Sequence, residues 1–230
     1  MILFKLAWRN IWRNKRRAFL TMSSICISLL LVMFMGQMQL WMWNNTIDNS
    51  IAQNIGHIQI SDTAYVDEAI LDNSISLSQV NTTDIKKIES IKGIYPRINF
   101  GALATSGIHA KSVGITGFTP STDTDDLNLV KKLKKGELLK DDDKSILITS
   151  TMAEYFKVST GDTLILLGQG FQGITAAGLY HIKGIINYPA GPMSNIVFMP
   201  LAECQYFFGM EGYVTQILIT LLDNKSLHKT

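Results

Sequence analysis

The sequence predicts an α+β extracytoplasmic domain carried on one N-terminal transmembrane helix. Three observations predict it: positive charge clustered in the first 17 residues, 30 consecutive uncharged residues from Ala18 to Ile47, and a long remainder in which short strand and helix signals alternate without a regular βαβ period.

Of the 21 Lys and Arg residues in the 230-residue chain, six (Lys5, Arg9, Arg13, Lys15, Arg16 and Arg17) precede residue 18, and no acid accompanies them. The net charge of +2 is therefore a basic terminus followed by 15 basic and 19 acidic side chains. A nucleic-acid binder carries its positive charge along a folded face rather than at one end, so nucleic acid is not an expected partner. With 47% hydrophobic and 17% charged residues the chain has ample apolar surface to bury and is not disordered. Cys26 lies in the longest apolar run and Cys204 is 178 positions later, so no disulfide framework is expected.

A helix over Ala18 to Trp43 is about 39 Å long at ~1.5 Å per residue, enough to cross a hydrocarbon core of ~30 Å with some tilt. Trp12 and Trp41 stand about 44 Å apart on such a helix, close to the spacing of the two headgroup regions where Trp concentrates. A cleaved signal peptide has an apolar region of only ~7 to 15 residues and a small-residue cleavage site. Here the run is longer and ends in Gln39-Leu40-Trp41-Met42-Trp43, which favours a retained anchor. Charge ahead of the span puts the N-terminus in the cytoplasm and everything after Asn45 outside.

Two finer patterns accompany the span. Lys5, Arg9 and Arg13 recur every four residues, with Phe4, Trp8, Ile11 and Trp12 on other positions of the same turns; this suits an amphipathic helix lying in the headgroup plane, with Lys15, Arg16 and Arg17 at its turn into the bilayer. A plain topology signal would need the charges without the period. Within the span, Thr21, Ser24, Ser28 and Gln39 fall within about 60° of one another at the helical repeat. Such a stripe suits packing against other membrane helices. Alternatively, each hydroxyl bonds its own preceding carbonyl, an account that leaves out Gln39.

Residues 48–230 are read as short elements in order. Ile55–Ile60 alternates like a strand; Asn81-Thr82-Thr83-Asp84 opens a helix through Ile85, Ile88 and Ile91 to Gly93. Ala102–Ala104 and Ser112–Phe118 read as a hairpin, and Leu127–Leu139 as a charged connector. Then come strand Ser145–Ile148, helix Ser150–Phe156, a turn at Ser159–Asp162, strand Thr163–Leu167, a glycine-rich loop, strands Tyr180–Ile186 and Asn195–Met199, helix Leu201–Phe208 and strand Thr215–Leu221.

Apparent chemical motifs fail on context. Gly168-Gln169-Gly170-Phe171-Gln172-Gly173 matches a dinucleotide fingerprint, yet a strand rather than a helix follows, and no acid lies between Asp162 and Glu203 to hold a ribose. The bland reading is a flexible hairpin tip, mobile because of Gly168, Gly170, Gly173 and Gly178. Phe171 at that tip is either an exposed contact for a partner or a side chain folded back onto the domain. Asp123-Thr124-Asp125-Asp126 and Asp141-Asp142-Asp143 read as solvated turns, and His57, His109, His181 and His228 share no ligand spacing. No catalytic residues, cofactor or metal are expected.

Leu6-Ala7-Trp8-Arg9-Asn10-Ile11-Trp12-Arg13-Asn14-Lys15-Arg16-Arg17 followed by a long span resembles the opening of ABC transporter permeases of the MacB, FtsX and LolC/LolE type. The resemblance continues through Val113–Gly117 and Gly136–Leu139, is strongest from Ile146 to Thr163 with its Gly161-Asp162 turn, and closes at Ile182–Ile186. It implies a cytoplasmic elbow helix and a periplasmic domain in the inner membrane's outer compartment. Within that domain a β-rich subdomain (121–194) is inserted into a ferredoxin-like one (48–120 and 195–230). It further implies three more spans, a dimer with a second or homologous permease, and a cytoplasmic ATPase subunit driving export or lipoprotein release. Since the sequence reaches Thr230 with no second span, it is expected to be the N-terminal portion of such a permease. In lipoprotein-releasing members a hairpin of the inserted subdomain grips a periplasmic carrier, and residues 168–178 occupy the comparable place. The rival classes are a single-span anchored binding or sensor domain, and an anchored enzyme.

Overall fold

The computed structural model describes residues 8–9, 12–50, 58–80, 85, 88, 91–125, 127–188 and 192–221. The chain divides into two compact units, Met1–Asn49 and Ser50–Thr230.

The first unit is dominated by α1 (Lys15–Ser50), a 36-residue helix. Its segment Lys15–Met42 is long and apolar enough to cross a membrane. The side chains that make it so face outward: Phe19, Leu30, Val32 and Phe34 are each about two-thirds exposed or more. In water such a helix would not stand alone, because burial of an amphipathic face supplies most helix stability in soluble proteins. The helix runs past Trp43, and at ~1.5 Å per residue its length is about 54 Å.

The second unit is built on one nine-stranded sheet. Its strands are β1 (Ile58–Ile60), β3 (Ile91–Ser106), β4 (His109–Phe118), β5 (Leu133–Gly136), β6 (Ser145–Thr149), β7 (Thr163–Gln169), β8 (Thr175–Ile186), β9 (Ile196–Pro200) and β11 (Gln216–Leu221). Strands β2 (Ile75–Ser76) and β10 (Tyr213–Val214) form a separate antiparallel pair. Six pairings close a circuit, β3–β4–β9–β6–β8–β7 and back to β3. Strand β11 extends this circuit from β3, with β1 beyond it, and β5 extends it from β8.

The 16-residue strand β3 has three partners, β11, β4 and β7, and passes from the first to the second along its length. Residues 91–97 pair with β11, and residues 98–106 with β4. At the handover Thr215 fills the gap: its hydroxyl accepts from the Asn99 N–H at 2.9 Å and donates to the Arg97 carbonyl at 3.2 Å.

Short helices cover the sheet. They are α2 (Thr63–Asp67), α3 (Pro120–Asp123), α4 (Leu129–Lys132), α5 (Ser150–Phe156) and α6 (Leu201–Phe208). Thr149 caps α5, its hydroxyl accepting from the Met152 N–H at 3.3 Å, and α6 stops where Gly209 turns left-handed at φ 65°. The run Ile146-Leu147-Ile148 on β6 is fully buried, as suits a strand with a parallel neighbour and cover on both faces. Each such side chain contributes roughly 1.5–3 kcal/mol by leaving water. One core joins these strands to Met152, Phe156, Phe207 and Phe208; another gathers Phe118, Leu127, Leu129, Tyr188 and Phe198.

The structure departs from the sequence-based expectations at four places. Ile91 and Gly93 begin β3 rather than end a helix; Ile85 is helical, and most of the expected Asn81–Gly93 helix lies outside the described residues. Leu127–Leu139 is not a connector, because α4 and β5 lie within it and Leu127, Leu129 and Leu139 are buried. The lysines between those leucines hid a core-forming pattern. Asp123 is not solvated either: it is fully buried against Arg97. Lastly, the glycine-rich stretch is mostly strand, since Gly168 belongs to β7 and Gly178 to β8.

Candidate functional site

In the N-terminal unit, Trp8, Arg9, Trp12 and Arg13 are helical and exposed, and Asn14 forms a turn before α1. The Lys15 ammonium sits 5.2 Å above the Trp12 ring, so cation and aromatic surface are held together at the start of the apolar helix. Arg16 and Arg17 are also exposed, whereas Lys5 lies outside the described residues. Within the helix, the Thr21 hydroxyl donates to the Ala18 and Arg17 carbonyls at 3.0 and 3.1 Å, and the Ser28 hydroxyl donates to the Ser24 carbonyl at 2.9 Å. These are the local bonds that β-hydroxyl side chains make readily in helices. The Gln39 side-chain amide has no hydrogen-bond partner among the described residues, so it is the member of the stripe with capacity to spare.

In the second unit the hairpin tip is Gly170 to Ile174, joining β7 to β8. It is docked rather than free. The Phe171 ring lies 5.1 Å from that of Tyr213 and packs against the core, and the Gln172 N–H donates to the Asp72 carboxylate. Gly170 permits the approach, since a Cβ there would stand 2.6 Å from the Phe208 carbonyl oxygen. Of the two readings of Phe171, the structure shows the side chain folded back onto the domain: it is half-buried against Tyr213.

A groove that sequence reasoning missed crosses β3, β4 and β9 beneath α2. It encloses about 510 Å³ and is lined by Tyr65, Asn99, Gly101, Gly114, Thr116 and Asn195, among others. Asn99 stands opposite Thr116 and accepts its hydroxyl at 2.9 Å, while the Tyr65 hydroxyl donates to the Asn99 carbonyl at 2.9 Å. Burial raises the Tyr65 phenol, partly offset by a hydrogen bond with Thr215. Two positions on, and so on the same face, Gly101 and Gly114 leave the floor bare. The Asn195 amide oxygen is buried with no partner among the described residues. Polar and glycine residues at alternate strand positions were the available signal. The groove offers neutral hydrogen-bonding groups rather than an acid and base in concert. Among the described residues no group of three His, Cys, Asp or Glu side chains gathers as a metal site would require. Cys204 is buried and free, its thiol pushed up by burial, and so inert as a nucleophile.

The comparisons with known proteins match this architecture. The family model described as the MacB-like periplasmic core domain covers residues 18–230. The chain belongs to that family. It is thus a MacB-like domain of the ABC-type transporter permeases. No curated protein matches it in sequence. Among solved structures, the periplasmic region of MacB from Actinobacillus actinomycetemcomitans is 14% identical with a TM-score of 0.51, covering 76% of this chain and 81% of that one. The extracellular domain of the noncanonic ABC-type transporter YknZ from Gram-positive bacteria is 13% identical with the same TM-score of 0.51, covering 68% and 78%. At that identity these two speak for the fold. The mixed α/β outer domain with one apolar N-terminal helix is that of a MacB-like protein.

Proposed function

We propose that the chain is the N-terminal portion of an ABC transporter permease subunit of the cytoplasmic (inner) membrane, passing ATP-driven motion to its outer domain for export or lipoprotein release. The observation that carries this reading is that one family description spans residues 18–230, helix and outer domain together. In this reading residues 1–17 are cytoplasmic, residues 18–47 lie in the bilayer and residues 48–230 face outward, as the basic residues before the span favour.

The parts divide the work. Lys5, Trp8, Arg9, Trp12, Arg13, Lys15, Arg16 and Arg17 form the elbow on membrane lipid; the stacking of Lys15 on Trp12 supports it. Thr21, Ser24, Ser28 and Gln39 face a second permease copy or a homologous permease. A helix of about 54 Å against ~30 Å of hydrocarbon leaves several turns beyond the bilayer, a stiff lever for motion. Outside, 48–120 with 195–230 form the ferredoxin-like part and 121–194 the insertion; β5, β6 and β7 pair with β8 within the insertion, and the β3–β7 and β6–β9 pairings join the two parts in one sheet. Gly168, Gly170, Phe171 and Gly173 form the hairpin available to a periplasmic partner protein. ATP hydrolysis belongs to a cytoplasmic partner subunit.

Purification of the protein from its own membranes in mild detergent tests the reading. It should bring down a subunit with a G-x-x-x-x-G-K-[ST] loop and vanadate-sensitive ATPase activity. A protein that purifies without any ATPase, as an anchored sensor would, overturns it.

A further inference from the structure

Between the edge strand β5 and helix α5 lies a cleft of about 300 Å³ whose charge the proposed mechanics leave unused. Lys134 and Lys135 enter it from the strand, Lys157 from the end of the helix, and Ser159, Glu154 and Ile185 also line it. All three lysines are exposed, and no salt bridge joins them to a carboxylate among the described residues.

Lysines on an edge strand commonly serve to block pairing with another chain. That accounts for Lys134 and Lys135, the first of which sits at a register shift between β5 and β8. It does not account for Lys157, which is on no strand. Lys157 holds the left-handed conformation at the end of α5, φ 56°, where glycine would sit without strain. A lysine there places a third ammonium over the same cleft.

The walls are fixed without any ligand. Asp162 accepts the Ser159 N–H at 2.7 Å, and the Gly161 N–H donates to the Ile182 carbonyl at 2.8 Å, tying the turn to β8. Gly136, at φ 83°, lets the end of β5 close on the Lys183 carbonyl and the Thr160 methyl, which any Cβ would strike.

We propose that this cleft binds a phosphoryl group, either free phosphate or the phosphate of a headgroup. Lysine recognises phosphate as a compact point charge, and Lys134, Lys135 and Lys157 line one cleft with the hydroxyls of Ser150 and Ser159. Three ammonium groups and the Ser159 hydroxyl outweigh the single carboxylate of Glu154. The inference stands apart from the permease reading, since it rests on the outer domain alone.

Isothermal titration of the full chain in non-ionic detergent tests it, at constant ionic strength against chloride, with inorganic phosphate in one arm and glycerophosphoglycerol, a soluble lipid headgroup, in the other. Saturable binding of the first assigns free phosphate, and of the second a headgroup. Lys157→Gly should weaken that binding about tenfold, the loss of one charge-assisted contact, while Tm holds or rises as the backbone strain is relieved. Lys134→Gln should weaken it similarly, and the control Lys144→Gln should leave it within about twofold, since only long-range charge is lost there. The proposal is overturned if neither probe binds above chloride, if Lys157→Gly and Lys134→Gln bind as the unaltered chain does, or if Lys144→Gln loses as much.

Discussion

The Arg97 guanidinium and the Asp123 carboxylate meet at 3.4 Å with both side chains buried. Arg97 is the last β3 residue paired with β11, and Asp123 closes α3 immediately after β4, so the ion pair fastens the point where β3 changes partners. Desolvation makes the intact pair nearly neutral in stability, but removing one member strands the other charge.

Asp123→Ala should therefore lower unfolding stability by about 3–5 kcal/mol. The double change Arg97→Met with Asp123→Leu should recover most of that loss. Chemical denaturation of the full chain in detergent checks both, and a single variant as stable as the unaltered protein would show that the pair is incidental.

Much of the outer domain was legible where the apolar pattern was strong. Helices Ser150–Phe156 and Leu201–Phe208 fall where a cap and a terminal glycine put them, and the β3–β4 hairpin is longer than expected but in place. The circuit of strands was not legible, because pairings such as Leu103 with Leu167 join positions far apart in sequence that carry no local signal. Buried charge was equally hidden. Asp123 sits in a run of acids that reads as solvent-exposed, and its partner Arg97 is 26 positions away in sequence. The neutral groove escaped because Asn99, Thr116 and Asn195 have no chemical motif in common, and they gather only when β3, β4 and β9 lie side by side.

Phe171 is half-buried on Tyr213, so Phe171→Ala should cost less than the ~3–5 kcal/mol of a fully buried ring, about 1–2 kcal/mol. Asp72→Ala, which frees the Gln172 N–H, should destabilise the tip by roughly 0.5–1.5 kcal/mol. Thermal unfolding reads both. If a periplasmic partner binds at Phe171, the alanine variant loses that partner as well, while Asp72→Ala loses it only partly.

Lys132 supplies a pH signature. Its ammonium lies 4.3 Å over the Tyr188 ring and donates to the Leu127 carbonyl at 3.0 Å, and burial lowers its pKa from 10.5 to about 8. The folded protein thus gives up this proton before the unfolded chain does. From about pH 8 to 10.5 the unfolded state binds more protons, so this residue's contribution to stability rises with pH across that window; below it both states are charged and the burial penalty is fully present. Partial exposure and the contacts with the ring and carbonyl make the slope shallow. Tm measured from pH 8 to 10 should rise relative to a Lys132→Met variant; parallel curves would refute the assignment.

Gln39 should matter more to helix association than its apolar neighbours do. Because the Thr21 and Ser28 hydroxyls are satisfied within α1, the unspent amide is the stripe's main capacity for an interhelical bond. Gln39→Leu should weaken self-association or co-purification with other permease spans in detergent, by about 0.6–2 kcal/mol, whereas Leu30→Ala should not. Equal losses from the two variants would make the stripe irrelevant.

In the proposed permease, motion driven by ATP reaches the outer domain. A spin label at Thr151→Cys, an exposed position on α5, reports it in a Cys26→Ser background where buried Cys204 stays unlabelled. The label-to-label distance between two copies in the complex with the ATPase is then compared without nucleotide and with ATP plus vanadate. A nucleotide-dependent shift of several ångströms or more is the predicted result, in keeping with rigid-body transitions of coupled domains. An unchanged distance distribution, in a complex that demonstrably hydrolyses ATP, would contradict the account.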